Sequence, residues 1–212
     1  MRRNNMIYFA TSNEDKVNDF RLVFDQLGIE LARIEKSYPV QEDGKTLLKN
    51  ARIKALTHSS HYPTRVIMAT DGGVRIPYLG ERWNHVLTRR LTGIDRESRF
   101  SDSERAETLL DMMSGAVRDE ERRVFWEEAV VLAYNRKAIF EFTGTSDPGI
   151  LGNEMPDDFK ETGFWVGYLW FDPELGKTYM QMTQEEMMRQ STIKNSLVTK
   201  LKSFDFMHYG IF

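Results

Sequence analysis

Apolar positions recur along the chain with two different periods. Residues 6–10 form a short apolar run, Thr11-Ser12-Asn13-Glu14-Asp15-Lys16 is polar, and Val17, Phe20, Val23, Phe24 and Leu27 then fall on one helical face. A strand, a polar loop and a helix are predicted, with Gly28 ending the helix and Ile29 and Leu31 alternating with polar residues as a second strand does. The opening segment is therefore a β-α-β unit. A loop over 38–44 precedes a helix predicted for 46–60, whose stripe is Leu47, Leu48, Ala51, Ala55 and Leu56. A strand over 65–70 is expected to end at Asp71-Gly72-Gly73, and 74–79 to be extended.

The second half is patterned differently. Ser101-Asp102-Ser103-Glu104 offers a capping box for a helix to Met113, closed by Gly115. Residues 124–134 and 138–143, separated by Asn135-Arg136-Lys137, predict a β-hairpin, and 164–171 an aromatic strand. Thr183-Gln184-Glu185-Glu186 is a second capping box, opening one long helix to about Lys202. The fold class expected is α/β: a mixed, twisted sheet flanked by helices, with two lobes around a central cleft, all within a single domain over 1–212.

Composition narrows the function. Of 212 residues 41% are hydrophobic and 29% charged, as in soluble globular chains. Lys plus Arg total 29 against 32 Asp plus Glu, so the formal charge of -3 disfavours a general nucleic-acid binder. With no cysteine there is no disulfide framework, thiolate metal site or cysteine nucleophile, and an intracellular, cytoplasmic setting is expected. No window reaches the roughly 18 apolar residues of a membrane helix, so neither anchor nor cleaved signal is expected.

Several residues could carry chemistry. Thr11, Ser12 and Asn13, with Lys16 one turn on, put donors and an ammonium at a helix N-terminus, which suits phosphate; ordinary capping by Asn13 or Ser12 accounts for the same pattern. Glu42 and Asp71 are the best carboxylate pair for Mg²⁺, which takes one or two carboxylates plus water and phosphate oxygens, although both fit solvated turns. Lys54 is by default a surface lysine. Glu127 and Glu128 lie in an apolar strand, so one of the two points inward or lies near an edge, and a sheet-edge charge is the account expected. His58 and His61 are expected in solvent rather than on a metal. Arg82, Arg89, Arg90, Arg96 and Arg99 form a basic stretch, either a solvated face or part of an anion site, and the four tryptophans suit core or interface positions.

Over residues 6–204 the segments together resemble the inosine/xanthosine triphosphate pyrophosphatase family, which hydrolyses aberrant purine nucleoside triphosphates to the monophosphate and pyrophosphate. Ile7 to Asn13 with Lys16 is similar to its Thr-Gly-Asn-x-x-Lys phosphate loop, with Ser12 in place of glycine. Glu42, Gly44, Thr46 and Asn50-Ala51-Arg52-Ile53-Lys54-Ala55 resemble its Glu loop and following helix. Ala69-Thr70-Asp71-Gly72-Gly73-Val74 resembles its Ala-Asp-Asp-Ser-Gly-Leu segment, and Arg89 falls on an arginine of the family. Gly163-Phe164, Gly176-Lys177-Thr178 and Glu185-Glu186 match late motifs. Val166-Gly167-Tyr168 stands where the family has Tyr-Asp-Pro, and Met187 and Ser191-Thr192-Ile193 where it has Lys and Ser-His-Arg.

The resemblance implies a Mg²⁺-dependent nucleoside triphosphate pyrophosphatase that is a homodimer. Glu42 and Asp71 would hold the metal, and Asp71 or a neighbouring carboxylate would position the attacking water. Thr11, Ser12, Asn13, Lys16, Lys54 and Lys177 would grip the substrate, and Phe164 would line a base pocket. Losing family cations beside a triphosphate costs several kcal/mol at roughly 1.5–3 per charge-assisted hydrogen bond, so Arg82, Arg89, Arg90 and Lys177 are candidate replacements, with Trp83 or Trp165 stacking on a base. The alternative is a catalytically silent nucleotide-binding or structural dimer of the same fold. A nucleic-acid or protein interaction module is the third possibility. Glu42 and Asp71 lying well apart, or a lysine salt bridge filling the gap between them, would collapse the enzymatic reading and leave only the shared scaffold.

Overall fold

A computed structural model describes residues 5–93 and 100–211. The chain forms two compact units, the first from 1–72, 128–144 and 188–212, the second from 73–127 and 145–187.

In the first unit, β1 (Met6–Phe9) pairs in parallel with β2 (Glu30–Arg33) and with β3 (Ile67–Arg75), matching Ile7 to Leu31 and Phe9 to Met68. Parallel neighbours need crossovers, and two helices supply them. They are α1 (Glu14–Asp25) between β1 and β2, and α2 (Leu47–His61) between β2 and β3. Val17, Phe20, Val23 and Phe24 bury the predicted face of α1, with Phe20 edge-on to Phe9 at 5.5 Å. Gly28 takes φ +67° just past the helix, a left-handed backbone that glycine adopts without a Cβ penalty. Strand β4 (Arg123–Tyr134) neighbours β3 and pairs with β5 (Lys137–Thr145). The hairpin turn places Asn135 at φ +45° and Arg136 at φ +65°, the two positive values a type I′ turn requires.

In the second unit, β4 pairs with β6 (Gly149–Leu151), β6 with β7 (Trp170–Asp172), and β7 with β8 (Lys177–Thr178), all antiparallel. Helix α3 (Asp102–Met112) opens on the predicted capping box, Ser101 accepting from the Glu104 N–H while the Glu104 carboxylate accepts from the Ser101 N–H. Parallel pairs and a hairpin in the first unit and antiparallel pairs in the second, with helices alongside, make the fold the mixed α/β class expected.

Four elements depart from expectation, the first being 74–79, which is extended only to Ile76 before the 3-10 turns of Pro77–Arg82 begin at the proline. Strand β3 does not end at Asp71 but runs through Gly72 and Gly73 to Arg75. Gly73 is needed there, because a Cβ would lie 1.9 Å from the His85 carbonyl oxygen. The aromatic strand over 164–171 is instead a buried helical turn, α4 (Val166–Leu169), followed by β7. The last helix is broken into α5 (Gln184–Gln190) and α6 (Thr192–Lys202), because Ser191 turns extended and caps α6 through the Lys194 N–H. No described helix is long and apolar enough to cross a membrane.

Candidate active site

The carboxyl end of β1 leads through Thr11 into α1. Thr11 Oγ1 accepts from the Asn13 N–H at 3.1 Å, and Asn13 caps α1 by accepting from the Lys16 N–H at 3.1 Å. Ser12 is exposed between them. The capping role weighed for Asn13 is therefore real, and it fixes the loop with the helix N-terminus behind it. Acidic Glu14 and Asp15 occupy the first turn, where they already complement the helix dipole.

On α2, Asn50 is buried and its side-chain oxygen accepts the Gly44 N–H at 2.8 Å, tying the loop that carries Glu42 to the helix. Gly44 has to be glycine, since a Cβ would sit 2.4 Å from that oxygen. One turn further, Lys54 points its ammonium at two carboxylates at once. Nζ lies 3.2 Å from Asp71 Oδ1 and 3.5 Å from Glu42 Oε2. Lys54 is thus a largely buried bridge rather than a surface lysine. Glu42 and Asp71, 29 positions apart in sequence, meet at one ammonium, and that cation is the lysine bridge set out above as the outcome against the enzymatic reading.

Asp71 is the anomalous member. Burial raises its pKa above the ordinary carboxylate value; the nearby charges of Lys54 and Lys16 and the Asn50 side chain pull the other way. Its second oxygen, Oδ2, is buried and accepts no hydrogen bond among the described residues. A carboxylate kept in a dry place with an unused oxygen is costly unless something cationic completes it.

Glu128 is the site residue that sequence reasoning missed. It is not an edge charge: it is 5% exposed, on β4, and its Oε1 lies 3.1 Å from Lys16 Nζ. The available signal was a carboxylate at the start of the run Ala129-Val130-Val131-Leu132-Ala133, every member of which is fully buried. Glu127, the neighbouring acid, instead pairs with Arg75 Nε at 2.8 Å and with His85 Nε2 at 3.3 Å in the second unit.

His58 is likewise not in solvent. It is 2% exposed, one ring nitrogen sits 2.9 Å from the Lys54 carbonyl and the other accepts the Tyr38 N–H at 3.2 Å. Burial lowers its pKa, so Nδ1–H donates to Lys54 and the ring is neutral. This neutral wedge anchors the backbone from which Lys54 reaches.

The remaining candidates belong to the second unit. Phe164 packs edge-on against Trp126 at 5.3 Å and Tyr179 at 5.4 Å. Gly167, where the family resemblance expects an aspartate, faces this ring, and a Cβ there would lie 2.7 Å from it. Lys177 pairs with Glu186 at 2.7 Å, a contact that with the Thr183 N–H lowers the Glu186 pKa to about 2. Trp83 and Trp165 are core residues, Trp83 donating its indole N–H to the Val74 carbonyl at 2.6 Å, so neither is free to stack on a base. Arg82, Arg89 and Arg90 are exposed, as a solvated face requires; Arg96 and Arg99 lie outside the described residues.

Residues 7–202 match the Ham1 family. The chain belongs to the Ham1 family. A dITP/XTP pyrophosphatase of Thermus thermophilus is 31% identical over 209 residues, 96% of this chain and 94% of its own length. One from Staphylococcus epidermidis is 26% identical over 192 residues, 90% and 92% of the two chains. Among solved structures, a HAM1 protein from Coxiella burnetii superimposes with a TM-score of 0.72 at 22% identity, covering 93% of this chain and 98% of its own. The Staphylococcus aureus Ham1 protein gives 0.70 at 23% identity over 93% and 98%. These two share the Ham1 fold with the present chain, while the family match ties its sequence to theirs across both units.

Proposed function

We propose that this Ham1 family chain is a Mg²⁺-dependent nucleoside triphosphate pyrophosphatase, converting a nucleoside triphosphate and water to the monophosphate and pyrophosphate, with noncanonical purine nucleotides as the substrate class. The observation that carries it is Asp71: a buried carboxylate on β3, brought beside Glu42, with one oxygen left without a hydrogen bond. That donor set fits magnesium. Among the described residues no group of three or more His, Cys, Asp or Glu side chains could hold a metal, so the protein offers two hard oxygen donors and leaves the other positions to water and phosphate.

When bound, Mg²⁺ would neutralise phosphate charge and stabilise the developing charge on the departing pyrophosphate. The chain's own part is positioning. Glu42 and Asp71 would hold the metal, and Asp71 would orient the water that adds to the α-phosphorus as the bond to the bridging oxygen breaks. Thr11, Ser12, Asn13 and the α1 N-terminus receive phosphate oxygens, with Lys16 and Lys54 beside them. Lys54, the counter-ion of Glu42 and Asp71, would also be a phosphate ligand. Lys177 and Phe164 are further candidate substrate contacts, and the proposed active species is a homodimer of single-domain chains in the cytoplasm.

The silent-scaffold reading has its own support, since Lys54 and Lys16 are both already neutralised by internal carboxylates. Two measurements separate the readings. Hydrolysis of a panel including dITP, XTP and the common triphosphates, with Asp71→Ala as control, should show Mg²⁺-dependent pyrophosphate release lost in the variant. Calorimetry with a non-hydrolysable triphosphate showing binding but no turnover of any panel member would leave only the scaffold.

A further inference from the structure

The first backbone donors of α3 are all taken within the second unit, and one residue far along the chain takes two of them. Glu161 lays its carboxylate across the helix start. Oε2 accepts the Asp102 N–H at 2.6 Å, while Oε1 accepts the Ser103 N–H at 3.1 Å and the Ser103 hydroxyl at 2.9 Å. The next two N–H groups, of Glu104 and Arg105, go to Ser101 Oγ and to the Ser101 carbonyl, both at 3.1 Å. No N–H from Asp102 to Arg105 is left over for an outside anion, so this helix end is an anchor and not a ligand site. The Asp102 N–H, and then that of Ser103, lower the Glu161 pKa, which keeps the carboxylate charged at neutral pH. The helix answers with a carboxylate of its own. Asp102 Oδ2 accepts the Gly163 N–H at 2.6 Å, and Oδ1 accepts from Arg105 Nη1 at 3.0 Å. Helix and loop are thus clasped in both directions, at the two residues that flank Thr162.

Phe164 is the side chain next in line. Gly163 turns at φ +80°, and the ring that follows meets Trp126 at 5.3 Å and Tyr179 at 5.4 Å and lies against Gly167, yet stays partly exposed. We propose that Glu161 is a positioning residue for base binding: by clamping the 161–163 turn onto α3, it holds the Phe164 ring in the pose on which a purine stacks. The inference rests on Phe164 as a substrate contact, as given above. Glu161 itself does not touch the nucleotide. Of the two acids in the clasp it is the one to vary, because it is exposed. Asp102 is 6% exposed, and its removal would take a carboxylate from the buried Arg105 cation and put the fold at risk.

The test is calorimetric titration of the full chain in Mg²⁺ with two probes: an inosine triphosphate whose α–β bridge is a methylene group, and inorganic tripolyphosphate, which carries no base. A loop that holds the binding pose only about a tenth of the time binds about tenfold more weakly, so Glu161→Ala should raise Kd for the nucleotide about tenfold and leave that for tripolyphosphate within about twofold. Glu161→Gln keeps an acceptor but loses the charge, and should fall between. Phe164→Leu should weaken nucleotide binding, and adding Glu161→Ala to it should weaken it no further, as when one residue acts through another. A merely structural glutamate would move both probes together, in both backgrounds. An unchanged nucleotide Kd in Glu161→Ala overturns the proposal, as do equal losses for the two probes, or a double variant weaker than Phe164→Leu by the full factor seen in Glu161→Ala. Should Glu161→Ala not fold, Glu161→Gln decides by the same comparisons. A wild type that does not bind the nucleotide, or Phe164→Leu with wild-type affinity, overturns the substrate contact and this inference together, whereas a weakened Phe164→Leu beside an unaltered Glu161→Ala overturns only the role of Glu161.

Discussion

Replacing Asp71 by asparagine should separate stability from function. The side chain is only 15% exposed, and burial outweighs the favourable charges of Lys54 and Lys16, so its pKa in the folded chain lies above the unfolded value of 3.8. Between those two values the folded chain binds more protons than the unfolded one; stability therefore falls as pH rises through that window, and the full cost of ionised Asp71 is present at neutral pH. Asparagine keeps the shape and removes the charge, while Lys54 retains Glu42 at 3.5 Å. Relieving a cost of this kind at a functional site is worth about 0.5–2 kcal/mol, and for a chain of this size each kcal/mol moves Tm by roughly 2–4 °C. On the proposed metal site the order should reverse: at about 100 times Kd, a bound ion would stabilise the wild type by about 2.7 kcal/mol, or roughly 5–10 °C, and the variant hardly at all. Differential scanning calorimetry at pH 7.5, in chelator and then in excess Mg²⁺, measures both. The reasoning is refuted if Asp71→Asn melts well below the wild type in chelator, which would make the Lys54 pair dominant, or if Mg²⁺ raises both proteins equally.

Three other outcomes follow from the same geometry. His58 is held neutral with its pKa lowered from 6.5, so wild-type stability should fall as pH drops below about 6.5, and His58→Gln should flatten that slope in urea midpoints between pH 5 and 8. Gly44→Ala drives a Cβ to 2.4 Å from the Asn50 oxygen and breaks the bond that ties down the Glu42 loop; a loss of about 1–3 kcal/mol, with weaker Mn²⁺ binding, is expected, and unaltered binding would free Glu42 from any role. Arg136→Gly removes a side chain from a residue at φ +65° while keeping the N–H that donates to Ser59 Oγ at 3.0 Å, and should stabilise the hairpin by about 1 kcal/mol in thermal melts.

Much of the backbone was legible because the causes are local. The α1 face, the Asn13 and Thr46 caps, the Ser101–Glu104 capping box and the Asn135–Arg136 turn each depend on residues within a few positions of one another. Asp71-Gly72-Gly73 looked like a strand end for the same local reason, and failed because a distant carbonyl, that of His85, makes glycine necessary inside a strand that continues. The 164–171 segment failed because continuous apolar runs do not distinguish a buried helical turn from a strand.

The sequence by itself determined the first helices and their caps, the parallel opening of the first unit and, through ordered short motifs, the choice of Glu42 and Asp71 as a candidate pair. Tertiary structure alone decided the state of those groups: Lys54 between two carboxylates, His58 neutral beneath it, and Glu128 paired with Lys16 inside a strand whose other face could not be read. Burial and pairing are sums over neighbours remote in the chain, and the same aspartate or lysine is an ordinary surface charge or a dry, costly one according to what folds against it.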